Sequence, residues 1–350
     1  MALAMQQMLT VLPALARSID VAEAAALECG TLITEDTVLT ADIGPCGDDV
    51  SHPGQHVPGG HGLVIGADNV TLDLNGHTIF GLGGPVVLHQ AAGVKVNGHS
   101  NVTVKNGTVR GFFHGVHVQN GSHNKVVDIR SLDNTTGNGI VLQNVTDSQV
   151  MRNTVINSGG FGGISVFDGR ATDQLDDLPS ARNMIAHNLV DQADNRTTTS
   201  GISLENGSDH RVINNTVTNS SGDGIVLFGN RPLPGGAVLP PVTGAQVVNN
   251  VVVGNGTGAA DTSTPLAGIS LRRTVVTGVG ADDNKIAGNR VQDNADYGIL
   301  VASSNNSITG NVARGNEIED LRDTNLTPPC DANRWKGNKF VTFNQPCVTG

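Results

Sequence analysis

Two acidic and two basic side chains follow short apolar runs of closely related sequence. Asp168 comes one residue after the run Gly-Ile-Ser-Val, and Glu205 comes directly after Gly-Ile-Ser-Leu. Arg272 and Arg273 follow a second copy of Gly-Ile-Ser-Leu. Carboxylates can exchange protons or hold a hard cation such as Ca²⁺, and guanidinium groups can stabilise developing negative charge. If the runs stack on one another, we expect these four side chains to form one catalytic cluster, with Asp168 and Glu205 nearly in line and as the tentative metal ligands.

Further side chains of the same runs are suited to contact a substrate. Aromatic rings stack on sugar faces, and hydroxyl and carboxylate groups bind sugar hydroxyls. The predicted substrate-binding residues are Phe167, Phe228, Ser203, Ser270, Asp223 and Tyr297.

An earlier part of the chain offers a rival centre. Lys95, His114 and His117 occupy related runs, with Gln119 and Asn138 close to them in the repeat. Lysine and histidine are the side chains that serve most readily as general bases near neutral pH. These three residues are therefore the alternative catalytic candidates, and the competing interpretation is that the histidines are simply exposed.

All of these runs begin at a glycine that recurs along the chain. The spacings between successive glycines are 22, 24, 24, 38, 23, 44 and 30 residues. A period near 23 with a few long outliers is typical of a solenoid with loop insertions. The opening glycines are Gly93, Gly115, Gly139, Gly163, Gly201, Gly224, Gly268 and Gly298.

The pattern within each repeat indicates strands. Apolar residues occupy every second position in short runs, and Gly, Asn, Asp and Ser interrupt them, whereas no repeat has ten residues of helical periodicity. We therefore predict an all-β fold, a single-stranded right-handed parallel β-helix of about nine or ten coils between Gly62 and Asp320. The repeats resemble those of the pectin-lyase-like superfamily over roughly residues 62–320.

A column of asparagines supports this register. Asn tolerates left-handed backbone at a corner, and stacked copies can hydrogen-bond to each other from coil to coil. The column is predicted to contain Asn153, Asn188, Asn215, Asn250, Asn289 and Asn311.

The two ends of the chain read as caps. Residues 1–28 are interpreted as a leader or a short helix, 29–61 as the N-terminal cap, and 321–350 as the C-terminal cap.

Cys29 and Cys46 are 17 residues apart, and so are Cys330 and Cys347. These spacings lack the close pairs of a zinc site, so we predict two local disulfides, each stabilising by roughly 3 kcal/mol. Disulfides indicate export, to the exterior or the cell surface.

Two smaller expectations concern the caps. Trp335, the one tryptophan of the chain, should be partly buried in the C-terminal cap. His52, His56 and His61 could bind a metal, but the prolines and glycines around them favour a flexible loop.

Five insertions flank the predicted first strands. Three follow the runs that open at Gly163, Gly224 and Gly268, and two precede the runs at Gly201 and Gly268. Loops this long in a compact fold are usually functional or disordered. The insertions are predicted to raise both margins of the sheet face that the first strands of the repeats form, and so to make a trough. The alternative is that they are surface insertions without a function.

Composition limits the partners. The formal net charge is -11, which argues against nucleic acid because phosphate binding needs a surface rich in Lys and Arg. An anionic polysaccharide remains possible through a local basic patch. The chain contains no run of 18 apolar residues, so no membrane span is predicted.

The family resemblance implies an extracellular carbohydrate-active protein, and a polysaccharide lyase acting on a uronic-acid polymer is the leading hypothesis. The alternatives are a glycoside hydrolase that uses Asp168 and Glu205, and a non-catalytic β-helix that binds glycans or acts as a spacer. Mannuronan epimerases of this fold carry Tyr-Gly followed closely by Asp-Pro-His. Here Tyr297 and Gly298 are followed by Ile-Leu-Val instead, which argues against that activity.

Overall fold

The structure is a computed structural model, and it describes eleven segments of the chain. These are residues 27–47, 60–83, 91–134, 137–158, 162–168, 180–192, 199–232, 238–258, 265–274, 277–325 and 330–349. Of the three histidines considered as metal ligands, His52 and His56 lie outside the described residues.

Three parallel sheets wind around one aliphatic core, which confirms the right-handed β-helix predicted from the repeats. Sheet 1 contains eleven strands, each paired in parallel with the strand of the next coil. Its strands are Thr31–Ile33, Leu63–Ile65, Ala92–Asn97, His114–Ser122, Ile140–Thr146, Gly162–Phe167, Ser200–Leu204, Ile225–Leu227, Ala267–Leu271, Tyr297–Val301 and Glu319–Asp323.

Sheets 2 and 3 complete each coil, and two long strands contribute to both of them. Those two are Thr103–Arg110 and Lys125–Leu132. The other strands of sheet 2 are Thr37–Val38, Thr71–Asp73, Gln149–Met151, Met184–Ala186, Arg211–Ile213, Gln246–Val248, Lys285–Ala287, Ser307–Thr309 and Arg334–Lys336. The other strands of sheet 3 are Ile43–Cys46, Thr78–Gly81, Thr154–Ile156, Leu189–Asp191, Thr216–Thr218, Val251–Val253, Arg290–Gln292 and Val312–Arg314.

The recurring glycine is explained by the core. At Gly201 a Cβ atom would overlap Cγ1 of Val217, which points inward from sheet 3. At Gly139 it would overlap Cγ1 of Val155 in the same way. At most of the opening glycines sheet 1 thus approaches a valine of sheet 3, whereas Gly115 faces Ser131 and Gly298 faces Asn316 and the carbonyl of Asp320.

The asparagine column is stacked as predicted. The Nδ2 of Asn188 donates to Oδ1 of Asn215 at 2.9 Å, and Asn215 repeats the bond to Asn250 at 3.0 Å. The ladder runs from Asn153 through Asn311 and continues to Asn338. Because each Oδ1 also accepts a backbone N–H of the preceding coil, these buried amides are satisfied within the ladder.

Both predicted disulfides are formed, Cys29–Cys46 and Cys330–Cys347. The solenoid extends past both predicted boundaries: its first coil begins at Thr31, and its last strand of sheet 2 ends at Lys336. Trp335 is more buried than expected, at 3% exposure, and its indole N–H donates to Asp323. The chain ends in a 3₁₀ turn, Pro346–Thr349.

Short strands outside the three sheets belong to the connecting segments. Gly207–Ser208 pairs with Val242–Thr243, and Arg231–Pro232 forms an antiparallel pair with Val238–Leu239. No helix in the described segments is long and apolar enough to cross a membrane.

Candidate functional site

Three columns of side chains occupy the outer face of sheet 1, and the strand register defines their members. The pre-glycine column is His61, Ala92, His114, Asn138, Gly162, Ser200, Asp223, Ala267 and Tyr297. The middle column is Lys95, His117, Val141, Ser165, Ser203, Val226, Ser270 and Leu300. The edge column is Asn97, Gln119, Gln143, Phe167, Glu205, Phe228, Arg272 and Ala302.

The columns differ in their access to solvent. Every member of the middle column is buried, including Ser203 and Ser270, which were expected to contact a substrate. The edge column is the more accessible one: Asn97 is exposed, and Gln119, Gln143, Phe167 and Phe228 are half-buried, although Glu205 is buried at 8% exposure. A polymer that follows sheet 1 therefore meets the edge column first, and the middle column does not form an open trough floor.

The hydroxyl groups of the middle column face each other or the protein. Ser203 donates to Oγ of Ser165 at 3.1 Å. The Oγ of Ser270 is buried and has no hydrogen-bond partner in the described part of the chain. These serines belong to the buried middle column and lie beside the more accessible edge column.

Asp168 and Glu205 lie on adjacent coils and are offset by one residue along the strand. Phe167 stands beside Glu205, because the Glu205 amide donates to the carbonyl of Val166. Asp168 lies one position further, where its own amide donates to Oδ1 of Asn206. Its carboxylate accepts from the amide of Ser180 at 2.9 Å and from the Ser180 hydroxyl at 2.6 Å. Asp168 thus caps the corner after the strand. Because it is offset from Glu205 by one residue, the two carboxylates do not point in the same direction, which does not suit a shared Ca²⁺.

Arg272 is not the exposed cation that was expected. Its Nε and Nη2 lie 3.0 and 2.5 Å from Oδ2 of Asp223, which belongs to the preceding coil and to the pre-glycine column. The side chain therefore crosses the width of sheet 1, and its guanidinium lies 5.9 Å from the Phe228 ring centroid. Asp223 is 2% exposed and Arg272 is 19% exposed. Burial raises the pKa of Asp223, and Arg272 opposes that rise.

Arg273 and Tyr297 lie further along the solenoid, outside the predicted centre. Arg273 donates to the carbonyl of Ala302 at 2.9 Å and pairs with Asp331 at 3.2 Å, toward the C-terminal cap. Tyr297 is buried beneath the guanidinium of Arg322, 5.1 Å from its ring centroid. Neither side chain converges with Glu205 or Asp168.

The rival cluster is compact and buried. Nζ of Lys95 lies 2.9 Å from Nδ1 of His117 and 2.8 Å from Oε1 of Gln119. Nε2 of His117 lies 2.8 Å from Oε1 of Gln143, and the ring of His114 packs edge-on against His117 at 4.8 Å. Both histidines are therefore buried, contrary to the competing interpretation that they are simply exposed. Lys95 is 9% exposed, and its edge-column neighbour Gln119 is half-buried.

The hydrogen bonds determine the protonation of His117. An amide oxygen only accepts, so Nε2 carries the proton that is donated to Gln143, and Nδ1 accepts from Lys95. Burial lowers the pKa of His117 well below its usual value, and the nearby charge of Lys95 adds to the effect. His117 is thus neutral, and it is an acceptor for the lysine.

Burial also changes the basicity of Lys95. It lowers the pKa of Lys95 from 10.5 to about 8. Two of its hydrogens point at His117 and Gln119. The third position on Nζ holds a proton in the ammonium form and a lone pair in the neutral amine. An amine that is partly unprotonated near neutral pH can act as a general base.

The pre-glycine column is held by a repeated hydrogen bond. The Asn138 amide donates to Nδ1 of His114 at 3.2 Å, and the Gly162 amide donates to Oδ1 of Asn138 at 3.0 Å. The Ala267 amide donates to Asp223 in the same way at 2.8 Å. His114 is therefore an acceptor, and burial next to Lys95 lowers its pKa to about 3.

His61 also belongs to this column, which the repeat pattern did not predict. The Ala92 amide donates to Nδ1 of His61 at 3.0 Å, and His61 contributes to the lowered pKa of His117. Its position directly before Gly62 is the signal that could have identified it. Gln143, which holds the His117 tautomer, could have been found from the edge-column register.

Two inserted segments join at one margin of the face. The hydroxyl groups of Thr274 and Thr277 donate to the backbone carbonyl and side-chain oxygen of Asn230, respectively. The segment after Phe228 and the segment after Arg272 therefore contact each other at this margin. This supports a raised margin at these two coils.

Carboxylate and imidazole groups do not cluster as a metal site in the segments that are described: no group of three or more His, Cys, Asp or Glu side chains has suitable geometry there. The tentative Ca²⁺ assignment to Asp168 and Glu205 gains no support from their arrangement.

Comparison with known proteins identifies the family. The model of the right-handed β-helix region matches residues 61–233 and 200–325. The chain belongs to this family. A search of curated protein sequences found no match.

Several solved structures share the fold at low identity. A mutant of the periplasmic alginate epimerase AlgG is 16% identical, with a TM-score of 0.52 over 81% of this chain and 67% of that chain. The DFA-IIIase of Arthrobacter chlorophenolicus A6, without its lid, is 11% identical, with a TM-score of 0.55 over 87% and 81%. The catalytic domain of a GH87 alpha-1,3-glucanase in complex with nigerose is 14% identical, with a TM-score of 0.55 over 92% and 61%.

Proposed function

We propose that this protein is an exported polysaccharide lyase that cleaves a uronic-acid polymer, and that Lys95 is its general base. The observation that carries this proposal is the Lys95 amine, which is buried, has a pKa of about 8, and is held by His117 and Gln119. Perturbed basic groups in a fixed hydrogen-bond frame are typical of catalytic sites.

The reaction is a β-elimination. The neutral amine of Lys95 takes the proton next to the uronate carboxyl group, and the resulting negative charge spreads onto the carboxylate. The electron pair then forms a carbon–carbon double bond, the glycosidic C–O bond breaks, and the departing oxygen takes a proton from water or from the ammonium group of Lys95. The products are a chain with a new reducing end and a chain with an unsaturated uronate.

His117 and His114 position this base. His117 accepts a hydrogen from Lys95 and is itself fixed by Gln143, so the amine has a defined direction. Because both histidines are neutral, they bring no additional positive charge that would lower the basicity of Lys95 further.

The edge column supports binding of a polymer. From Gln119 to Phe228 it offers two amides, an aromatic ring, a carboxylate and a second ring, on five successive coils. Amides bind sugar hydroxyls, and aromatic rings stack on sugar faces. At about 4.8 Å per coil the row is about 19 Å long, which suits a chain of about four sugar units.

Other considerations favour carbohydrate chemistry and this centre. The structural neighbours include enzymes whose names refer to alginate and α-1,3-glucan, and the two disulfides are typical of exported proteins. The hydrolase alternative requires Asp168 and Glu205 to act on one sugar, whereas Asp168 is engaged by Ser180. The Arg272 centre is less favoured because Asp223 neutralises Arg272.

The test is a screen of uronic-acid polymers, namely alginate, pectate and glucuronan, for the ultraviolet absorbance of the unsaturated product. We expect absorbance with at least one polymer and none with the variant Lys95→Met. New reducing ends without absorbance would indicate a hydrolase, and binding without turnover would indicate a non-catalytic glycan-binding protein. If Lys95→Met retained full lyase activity, Lys95 would not be the base.

A further inference from the structure

We propose that the ion pair between Arg272 and Asp223 is a stop that ends the saccharide-binding row, so that one end of the polymer abuts it. This inference rests on the proposed function, because it concerns the same row. It assigns to Arg272 a role in setting chain length, separate from the chemistry at Lys95.

The first support is the path of the Arg272 side chain. Arg272 begins in the edge column, one coil after Phe228, and ends at Asp223 on the opposite margin of sheet 1. Its Nη2 also lies 3.4 Å from the carbonyl of Pro265, which belongs to the segment that enters from that opposite margin. The side chain therefore spans the face like a bar over the strand Ile225–Leu227.

The second support is the rigidity of the bar. Both nitrogens that face Asp223 contact the same oxygen, Oδ2, and the other oxygen is held by the Ala267 amide at 2.8 Å. The guanidinium also lies over the Phe228 ring. A side chain held by an ion pair, a backbone carbonyl and a ring is not free to follow an incoming sugar.

The third support is the state of the face beyond the bar. Ala267, Tyr297 and Leu300 form a buried apolar cluster of their own, separate from the solenoid core. Arg322 covers Tyr297 and pairs with Glu319 at 3.0 Å. On the C-terminal side of the bar the pre-glycine and middle columns are therefore closed by the apolar Tyr297 and Leu300, whereas in the N-terminal coils they carry the polar side chains of Lys95, His114 and His117.

These features define the length of the site. Between the Lys95 cluster and the bar, the edge column presents the five positions from Gln119 to Phe228. If one sugar unit lies on each coil step, the row holds about four units at about 4.8 Å each. A polymer bound with its end at the bar is cut at Lys95, so products of about this length should predominate.

The experiment measures the affinity of purified oligouronates of graded length for the intact protein by calorimetry, and the lengths of the products released from the polymer. The test variant combines Asp223→Asn with Arg272→Ala. The new amide retains the acceptor for the Ala267 amide, as Asn138 does for Gly162, and no buried charge is left unpaired. Arg211→Ala, at an exposed arginine on sheet 2, is the control.

In the wild type and in the control, affinity should rise with length up to about four units and then stay constant. In the double variant it should continue to rise, and longer products should appear. A wild-type affinity that keeps rising, or a double variant with an unchanged plateau and unchanged products, would overturn the stop. If no oligouronate of any length is bound or cleaved, the proposed function fails, and the stop fails with it. If oligouronates are bound and cleaved without this dependence on length, only the stop fails, so the two failures are distinguishable.

Discussion

The N-terminal and C-terminal coils present the same three columns on sheet 1, yet their charged groups are satisfied in different ways. Lys95 is held by neutral acceptors, His117 and Gln119, and its pKa is lowered to about 8. Arg272 is held by an anion, Asp223, in an ion pair. The comparison teaches that the scaffold supplies the positions, and that the partner of a cation decides whether it can exchange a proton or only hold its neighbours in place.

The largest expected effect follows removal of the amine from the N-terminal coils. Lys95→Met retains an unbranched side chain of similar length and removes the base, so kcat/KM should fall by roughly 10²- to 10⁴-fold. Lys95→Arg should fail similarly, because a guanidinium does not deprotonate near neutral pH. Steady-state kinetics measure the loss, and Lys125→Met, at an exposed lysine of sheet 2, should retain wild-type activity.

The ion pair of the C-terminal coils should matter for stability. Asp223→Asn retains the acceptor for the Ala267 amide but leaves Arg272 without its counter-ion, so we expect a loss of about 1.5–3 kcal/mol in the free energy of unfolding. Urea denaturation measures this loss. The matched change Asp128→Asn breaks the exposed pair with Arg152 and should cost less than about 1 kcal/mol. Equal costs at the two sites would contradict the difference in burial.

His114 of the pre-glycine column should make the free energy of unfolding depend on pH. The folded pKa of His114 is about 3, against an ordinary value of 6.5. Below pH 6.5 the unfolded chain binds a proton that the folded chain does not, so stability is lost as pH falls from 6.5 toward 3, by up to about 1.4 kcal/mol per pH unit. His114→Asn should retain the hydrogen bond from the Asn138 amide and reduce this slope by the contribution of His114, whereas the buried His117 and His210 retain theirs.

Urea titrations at several pH values measure that slope. His123→Asn, at an exposed histidine, should leave the pH dependence unchanged. If His114→Asn has the same acid sensitivity as the wild type, His114 is not the buried neutral group that the structure shows.

The smallest effect is expected for a single contact of the edge column. Phe167→Ala should weaken oligouronate binding by roughly three- to tenfold, the value of one aromatic contact, and should leave the Lys95 chemistry intact. Calorimetry measures the change, with Phe343→Ala in the C-terminal cap as the control. An unchanged affinity would remove Phe167 from the binding row.

The sequence predicted the periodic features because they depend on local rules. The recurring glycines and the Asn153–Asn311 ladder follow from alternation and from the repeat alone. The two disulfides also followed from their positions at the ends of the chain.

The partnerships across coils could not be predicted. Whether Arg272 reaches Asp223 depends on the direction of both side chains, and the two residues are separated by 49 positions in the sequence. The lowered pKa of Lys95 depends on burial, and a sequence pattern that places a lysine on an outer face predicts exposure instead.

The most direct test of the central claim is the pH dependence of kcat/KM on the uronate polymer that the screen identifies. If Lys95 is the base, activity should rise as its ammonium group loses a proton, with an apparent pKa of about 8, and should level off above it. Lys125→Met should have the same profile as the wild type. A profile without a rise near this pKa, in an active enzyme, would contradict the assignment of Lys95.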